Sequence, residues 1–233
     1  MGPDRTMLGT SASRLQRKKG WIVEKESASK AIDGAHSDRP PGKAQRTRAR
    51  LIEATCDELS ESGSFTAERV ARRAGTSVAT FYVHLPTKEV ALVAVFERVM
   101  GELVAVVENQ LRVEALLEHG LESIMRDFVQ ASIDFFSQRM HVMRAGLAAL
   151  PDSRELRQVY REHEGLAFEV FSRFVSLGQS AGQIRSGPPD ELARTFLVLS
   201  QGLNNPLLFD AEARSVLPAH LTRVLAEWLA PTP

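Results

Sequence analysis

Histidines, acids, serines and one cysteine are scattered through these 233 residues, and their spacing assembles none of them into a reactive set. His119, His141 and His163 do not combine with nearby acids at metal-ligand spacing, so packed or solvated imidazoles are expected. No serine sits in a nucleophile-elbow pattern, and no glycine-rich phosphate loop is present. Cys56 is the only cysteine, which excludes an intrachain disulfide and a cysteine zinc cluster. It lies among the apolar residues of a helical stretch and reads as a buried structural thiol rather than a redox sensor. The expectation is a non-enzyme with no cofactor and no metal. The spacing that does suggest chemistry runs from Thr66 to Lys88, and the chemistry is binding.

Two short helices joined by a glycine turn account for that stretch. Thr66 is placed to cap the first, and Glu68 sits in its first turn, where the helix dipole favours an acid. Val70, Ala71 and Ala74 form one apolar stripe, and Gly75 suits the left-handed conformation that ends a helix. Ser77 is a good cap for the second helix, on which Phe81 and Leu85 share a face. Pro86 ends it, because the residue before a proline avoids helical geometry. The small side chains of Ala71 and Ala74 let two such helices pack closely at a steep angle. This is the layout of a helix-turn-helix, whose second helix can enter a major groove.

The run Ala74-Gly75-Thr76-Ser77, then Thr80-Phe81-Tyr82, His84-Leu85 and Thr87-Lys88, resembles the DNA-binding domain of the tetracycline-repressor (TetR) family of bacterial regulators. The resemblance covers roughly residues 43–98, about a quarter of the chain; beyond that only length and helical pattern are similar. It implies that Val78 and Ala79 face bases, where they can pack on thymine methyl groups without hydrogen bonds. It also implies phosphate contacts from Thr80, Tyr82, His84 and Lys88, with Thr66, Thr76 and Ser77 in the same DNA-binding set. Arg46, Thr47 and Arg48 join them at the start of the preceding helix, where amide donors and cations can meet a phosphate.

The elements that must hold this motif are helical throughout. Hydrophobic residues are 43% and charged residues 25%, an ordinary globular balance. Net charge is zero but uneven: residues 1–98 hold 17 Lys+Arg against 12 Asp+Glu, and residues 99–233 hold 12 against 17. A front half at +5 suits a polyanion, and a back half at −5 does not. No apolar run reaches the about 18 residues of a membrane span, and the N-terminus has no apolar core of a secretion signal, so a cytoplasmic protein is expected. Residues 1–42 are polar and basic and read as a disordered arm: one that touches DNA, a solvated tail, or an upstream extension of the gene model.

Periodicity then predicts helices over about 43–62, the two helices of the motif, 87–110, 115–137, 139–150, 153–183, 189–209 and 217–230. The fourth starts in the DNA-binding unit and ends in the next domain, which makes it the expected transmission element. Met125, Phe128, Met143, Phe168 and Phe171 are expected to line a cavity for a small apolar ligand, with Arg144, Tyr160 and Asn204 as polar anchors. The last two helices carry apolar stripes through Phe196, Leu199, Leu203, Leu221, Leu225 and Trp228, expected to pair two subunits as the family's dimers do.

The expected architecture is all-α with about nine helices. It comprises a disordered basic arm over 1–42, a three-helix helix-turn-helix DNA-binding domain over 43–98, and a helical ligand-binding and dimerisation domain over 99–233. The expected function is that of a homodimeric repressor of transcription, released from a palindromic double-stranded operator by a small apolar ligand. The alternative is an all-α ligand-binding or protein-docking module that does not bind DNA.

Overall fold

Nine α-helices follow one another among the described residues. The computed structural model describes residues 42–231, so the arm expected over residues 1–42 lies, except for Gly42, outside the described residues. Helix α1 is Lys43–Ser62, α2 Ala67–Arg73, α3 Val78–His84, α4 Lys88–Gln110, α5 Val113–His119, α6 Leu121–Ala149, α7 Arg154–Ser180, α8 Pro189–Gln201 and α9 Ala211–Leu229. Among the described residues there is no strand. Side-chain caps open five of the nine: Thr66 accepts from the Arg69 amide, Ser77 from Thr80, Thr87 from Val90, Ser153 from Leu156, and Asp210 from Glu212 and Ala213. Gly63 and Gly75 take positive φ (68° and 61°) where α1 and α2 turn away.

Two buried clusters organise these helices. The smaller joins Leu51 and Ala54 of α1, Val70 and Ala71 of α2, Phe81 and Leu85 around α3, and Ala91 and Ala94 of α4. The larger takes in the inward faces of α4 to α9, with Cys56 and Leu59 from α1. Ile52 and Phe65 pack against both clusters, so the two cores share a seam. Within the larger cluster α4 lies against α6 and α7, α7 against α8, and α9 against α6. From Ala44 onward the chain forms one compact unit.

Four expected boundaries differ. The helix expected from 115 is divided at Gly120, whose φ is 79°, into α5 and α6. The break expected near residue 138 does not occur: α6 runs unbroken from Leu121 to Ala149. Its polar Ser137-Gln138-Arg139 patch stays helical because Ser137 donates to the Asp134 carbonyl and Arg139 reaches Glu102 of α4. Helix α8 stops at Gln201 rather than 209. Asn205, ahead of Pro206, is extended, and two 3₁₀ turns, Gly202–Asn204 and Pro206–Phe209, complete the segment. Helix α9 starts six residues before the expected 217, at the Asp210 cap, and carries Pro218 inside it.

The residues expected at a subunit contact are also placed differently. Phe196, Leu203 and Leu225 are buried at 0%, 2% and 4% exposure within the single chain, and Leu221 and Trp228 pack partly buried on the same core. Phe196 stacks edge-on with Phe171 and Phe128. Their periodicity came from the chain's own core, because an amphipathic helix buries its stripe against whatever lies beside it. Only Leu199 of that set is exposed.

Candidate nucleic-acid interface and cavity

Helix α3 has only seven residues, too few to stand alone, so its position comes from the chain on either side. Phe81 and Leu85 are wholly buried and anchor one face, and Val78 packs half-buried beside them. The turn before it is closed by the Thr76 amide on the Ala71 carbonyl and the Gly75 amide on Arg72. The Arg50 guanidinium of α1 donates to the Ala74 carbonyl at the end of α2. Ser77 caps α3 and shares a hydroxyl–hydroxyl bond of 2.9 Å with Thr80.

The opposite face of α3 points outward. Tyr82 is 49% and Val83 76% exposed, Ala79 and Ser77 are exposed, and Thr80, Thr76 and His84 are half-buried. Lys88 stands exposed at the start of α4. Thr66 is occupied as the α2 cap. Glu68 next to it has its carboxyl held below the ordinary range, chiefly by its own backbone N–H, then by the Thr66 hydroxyl and the charge of Lys88. The starts of α2 and α4 therefore lie close together. Arg46 and Arg48 are exposed and Thr47 half-buried on the first turns of α1.

Two other cations of this region are committed inward. Arg69 and Arg73 of α2 pair with the buried Glu58 of α1 at 2.5 and 2.8 Å, and Arg73 also meets Glu61. They lock α2 to α1 rather than reach a ligand. Val83 was not singled out from the sequence. Its signal is the helical wheel: once Phe81 and Leu85 define the buried face, positions 79, 82 and 83 are the outward ones.

A cavity of about 210 Å³ lies between α4, α6, α7 and α8. Phe128, Met143, Phe171 and Asn204 line it, as do Met100, Leu103, Val104 and Val107 of α4. Met125, Arg144 and Phe168 are absent from its wall. Met125 is sealed in the core, Arg144 is exposed, and Phe168 lies under the Arg194 guanidinium 4.8 Å from its ring centre. The shift has a geometric reason, since residues one position apart on a helix differ by about 100° in direction. The cavity wall is mostly apolar; its polar side chains are Ser132 of α6, Tyr160, His163 and Glu164 of α7, Ser200 and Gln201 of α8, and Asn204. Burial, reinforced by Glu164, raises the Tyr160 phenol above its ordinary range. His163 holds the Val159 carbonyl through Nδ1 at 2.8 Å and lies over Gly101 of α4. Among the described residues no group of histidine, cysteine and acidic side chains could hold a metal, and no helix is long and apolar enough to cross a membrane.

No family model matches the chain, and no curated protein matches it. Solved structures do. A TetR transcription regulator from Haloarcula marismortui superposes with a TM-score of 0.65 at 16% identity, over 79% of this chain and 98% of that one. A putative TetR-family regulator from Mesorhizobium loti gives 0.60 at 18%, over 81% and 95%. The reduced form of E. coli NemR gives 0.58 at 19%, over 80% and 100%. Helix order, a short outward-facing α3 and near-complete coverage of those chains agree on one architecture: this protein has the all-α fold of TetR-family transcriptional regulators.

Proposed function

We propose that the protein is a DNA-binding regulator of transcription, acting as a cytoplasmic homodimeric repressor that a small apolar ligand releases from a palindromic operator. In this reading residues 43–98 bind DNA and residues 99–233 bind the ligand and the second subunit. The observation that carries it is α3: a seven-residue helix pinned by Phe81 and Leu85, presenting Ala79, Tyr82 and Val83 outward, with Lys88 exposed at the next helix start. The apolar tip packs on base edges while Tyr82, Thr80 and Lys88 grip phosphates. The fold likeness to solved regulators supports the same reading.

Ligand control follows from α4. Its first residue is Lys88, and Met100, Leu103, Val104 and Val107 on the same helix line the cavity. A ligand that prefers an arrangement with α4 displaced moves Lys88 and both recognition helices off their spacing. Coupling of about 1–3 kcal/mol weakens operator binding roughly 5- to 150-fold.

The test is a gel shift on the DNA upstream of the protein's own gene, titrated across salt. Lys88→Ala is expected to weaken binding to all sequences and to lower the salt slope by about one unit. Absence of any shifted complex would favour a ligand-binding module without DNA binding. Unchanged affinity and slope in the variant would remove Lys88 from the interface.

A further inference from the structure

We infer that the cavity selects a cationic ligand, a small amine with an apolar body whose ammonium group sits at Glu164. This rests on the ligand-responsive reading above and narrows it from an apolar compound to a charged amphiphile.

Glu164 is the only acidic side chain on the cavity wall, and neither lysine nor arginine lines it. What Glu164 does receive is neutral. The Gln201 amide donates to it at 3.3 Å, and the Tyr160 phenol lies one turn back on α7. Gln201 also reaches the Tyr160 oxygen at 3.4 Å, so its amide bridges the two side chains. Neutral donors orient a carboxylate but leave its charge uncompensated, and none of the ion pairs among the described residues includes Glu164. Tyr160 and Glu164 are half-buried beside a wall of Met, Leu, Val and Phe side chains, where screening by water is weaker than at an open surface. An ammonium placed there gains both a hydrogen bond and the attraction of opposite charge, a hydroxyl gains the hydrogen bond alone, and a carboxylate ligand meets like charge. The aromatic rings of Phe128, Phe136 and Phe171 suit the hydrophobic remainder of the molecule. At about 210 Å³ the space is below the roughly 300–1,000 Å³ of drug-sized sites, so the ligand is small.

The experiment uses the full chain and three matched probes: 4-phenylbutylamine, 4-phenylbutanol and 4-phenylbutyrate, titrated by calorimetry without DNA. The amine is expected to bind about tenfold or more tighter than the alcohol, the discrimination of the added positive charge, and the carboxylate weakest. In Glu164→Gln the ratio of amine to alcohol affinity is expected to fall towards unity, which loss of packing alone would not do. If alcohol or carboxylate binds as well as amine in the wild type, the charge preference is wrong while the cavity remains a ligand site. An amine preference that survives Glu164→Gln places the cation elsewhere and overturns the assignment. If none of the three binds, both this inference and the ligand-site reading fall together. An amine that binds as expected but leaves operator affinity unchanged upholds the inference and sinks only the release mechanism.

Discussion

Two glycines show how position decides the effect of one methyl group. A Cβ at Gly146 of α6 would stand 2.2 Å from Phe96 Cδ2 and 2.9 Å from its Cγ, and Phe96 is wholly buried on α4. The ring cannot swing into solvent. Overpacking of this kind costs about 1–3 kcal/mol, which outweighs the helix-propensity gain of about 1 kcal/mol. At Gly165 of α7 a Cβ meets nothing within 4 Å. Urea unfolding should therefore show Gly146→Ala destabilised, on the order of 1 kcal/mol net, and Gly165→Ala stabilised by up to about 1 kcal/mol. Equal effects at the two sites would contradict the close approach of α4 and α6. The outward residues of α3 were readable at this scale, since their types matched a known pattern, but Val83 needed the buried partners Phe81 and Leu85 before its direction could be stated. The cavity wall was half readable: Phe128, Met143 and Phe171 are apolar residues in an apolar place, and Tyr160 and Asn204 are polar residues among them, whereas Glu164 comes from a polar-looking turn of α7 and declares itself only by what it faces.

At the scale of elements, the α1–α2 corner is held by charge. Arg73 reaches Glu58 at 2.8 Å and Glu61 at 2.5 Å, and the Arg73 hydrogen bond holds the Glu61 carboxyl below its ordinary 4.5. A carboxyl depressed in the folded state stabilises the fold fully above its unfolded pKa and loses that contribution as pH falls through the lowered value. Arg73→Ala should lower stability at neutral pH, and the gap from wild type should shrink below about pH 4.5. Chemical denaturation at pH 7 and pH 3 measures it; a gap that stays constant would mean Arg73 acts through packing alone. Helix existence was legible throughout because each apolar stripe has the helical period. Boundaries were less so. The polar patch at 137–139 looked like a break because its partners, Asp134 and Glu102, are respectively on the same helix and 37 residues away. The start of α9 was placed too late, at 217, since the apolar stripe from Leu217 carried the signal; the helix begins at the Asp210 cap and carries Pro218 inside it.

For the whole molecule, the corrected placement of α8 and α9 changes what a charge should do there. Leu203 is 2% exposed, so Leu203→Arg buries an unpaired charge at a cost of several kcal/mol and is expected to unfold the protein rather than split a dimer. The residues left for a second subunit are Val198, Leu199 and Leu207 after the α7–α8 turn, and Val216 and Val224 on α9, all 44–66% exposed. In the dimeric reading, Val198→Arg should give a folded monomer by light scattering with weakened operator affinity, since two half-sites about 34–36 Å apart need two linked subunits. A variant that stays dimeric moves the contact off α8. Periodicity could not separate these two faces. A stripe that meets its own chain and one that meets a copy obey the same rule, and only the packed structure divides them.

Cys56 sits on α1 against that same larger core, 3% exposed, with its thiol pushed above the usual range by burial. Being the sole sulfhydryl of the chain, it makes the protein a clock without engineering. A reagent that modifies thiols has no reaction to perform while α1 rests on α4 and α6. The pace of labelling therefore reports how often the packing around α1 opens.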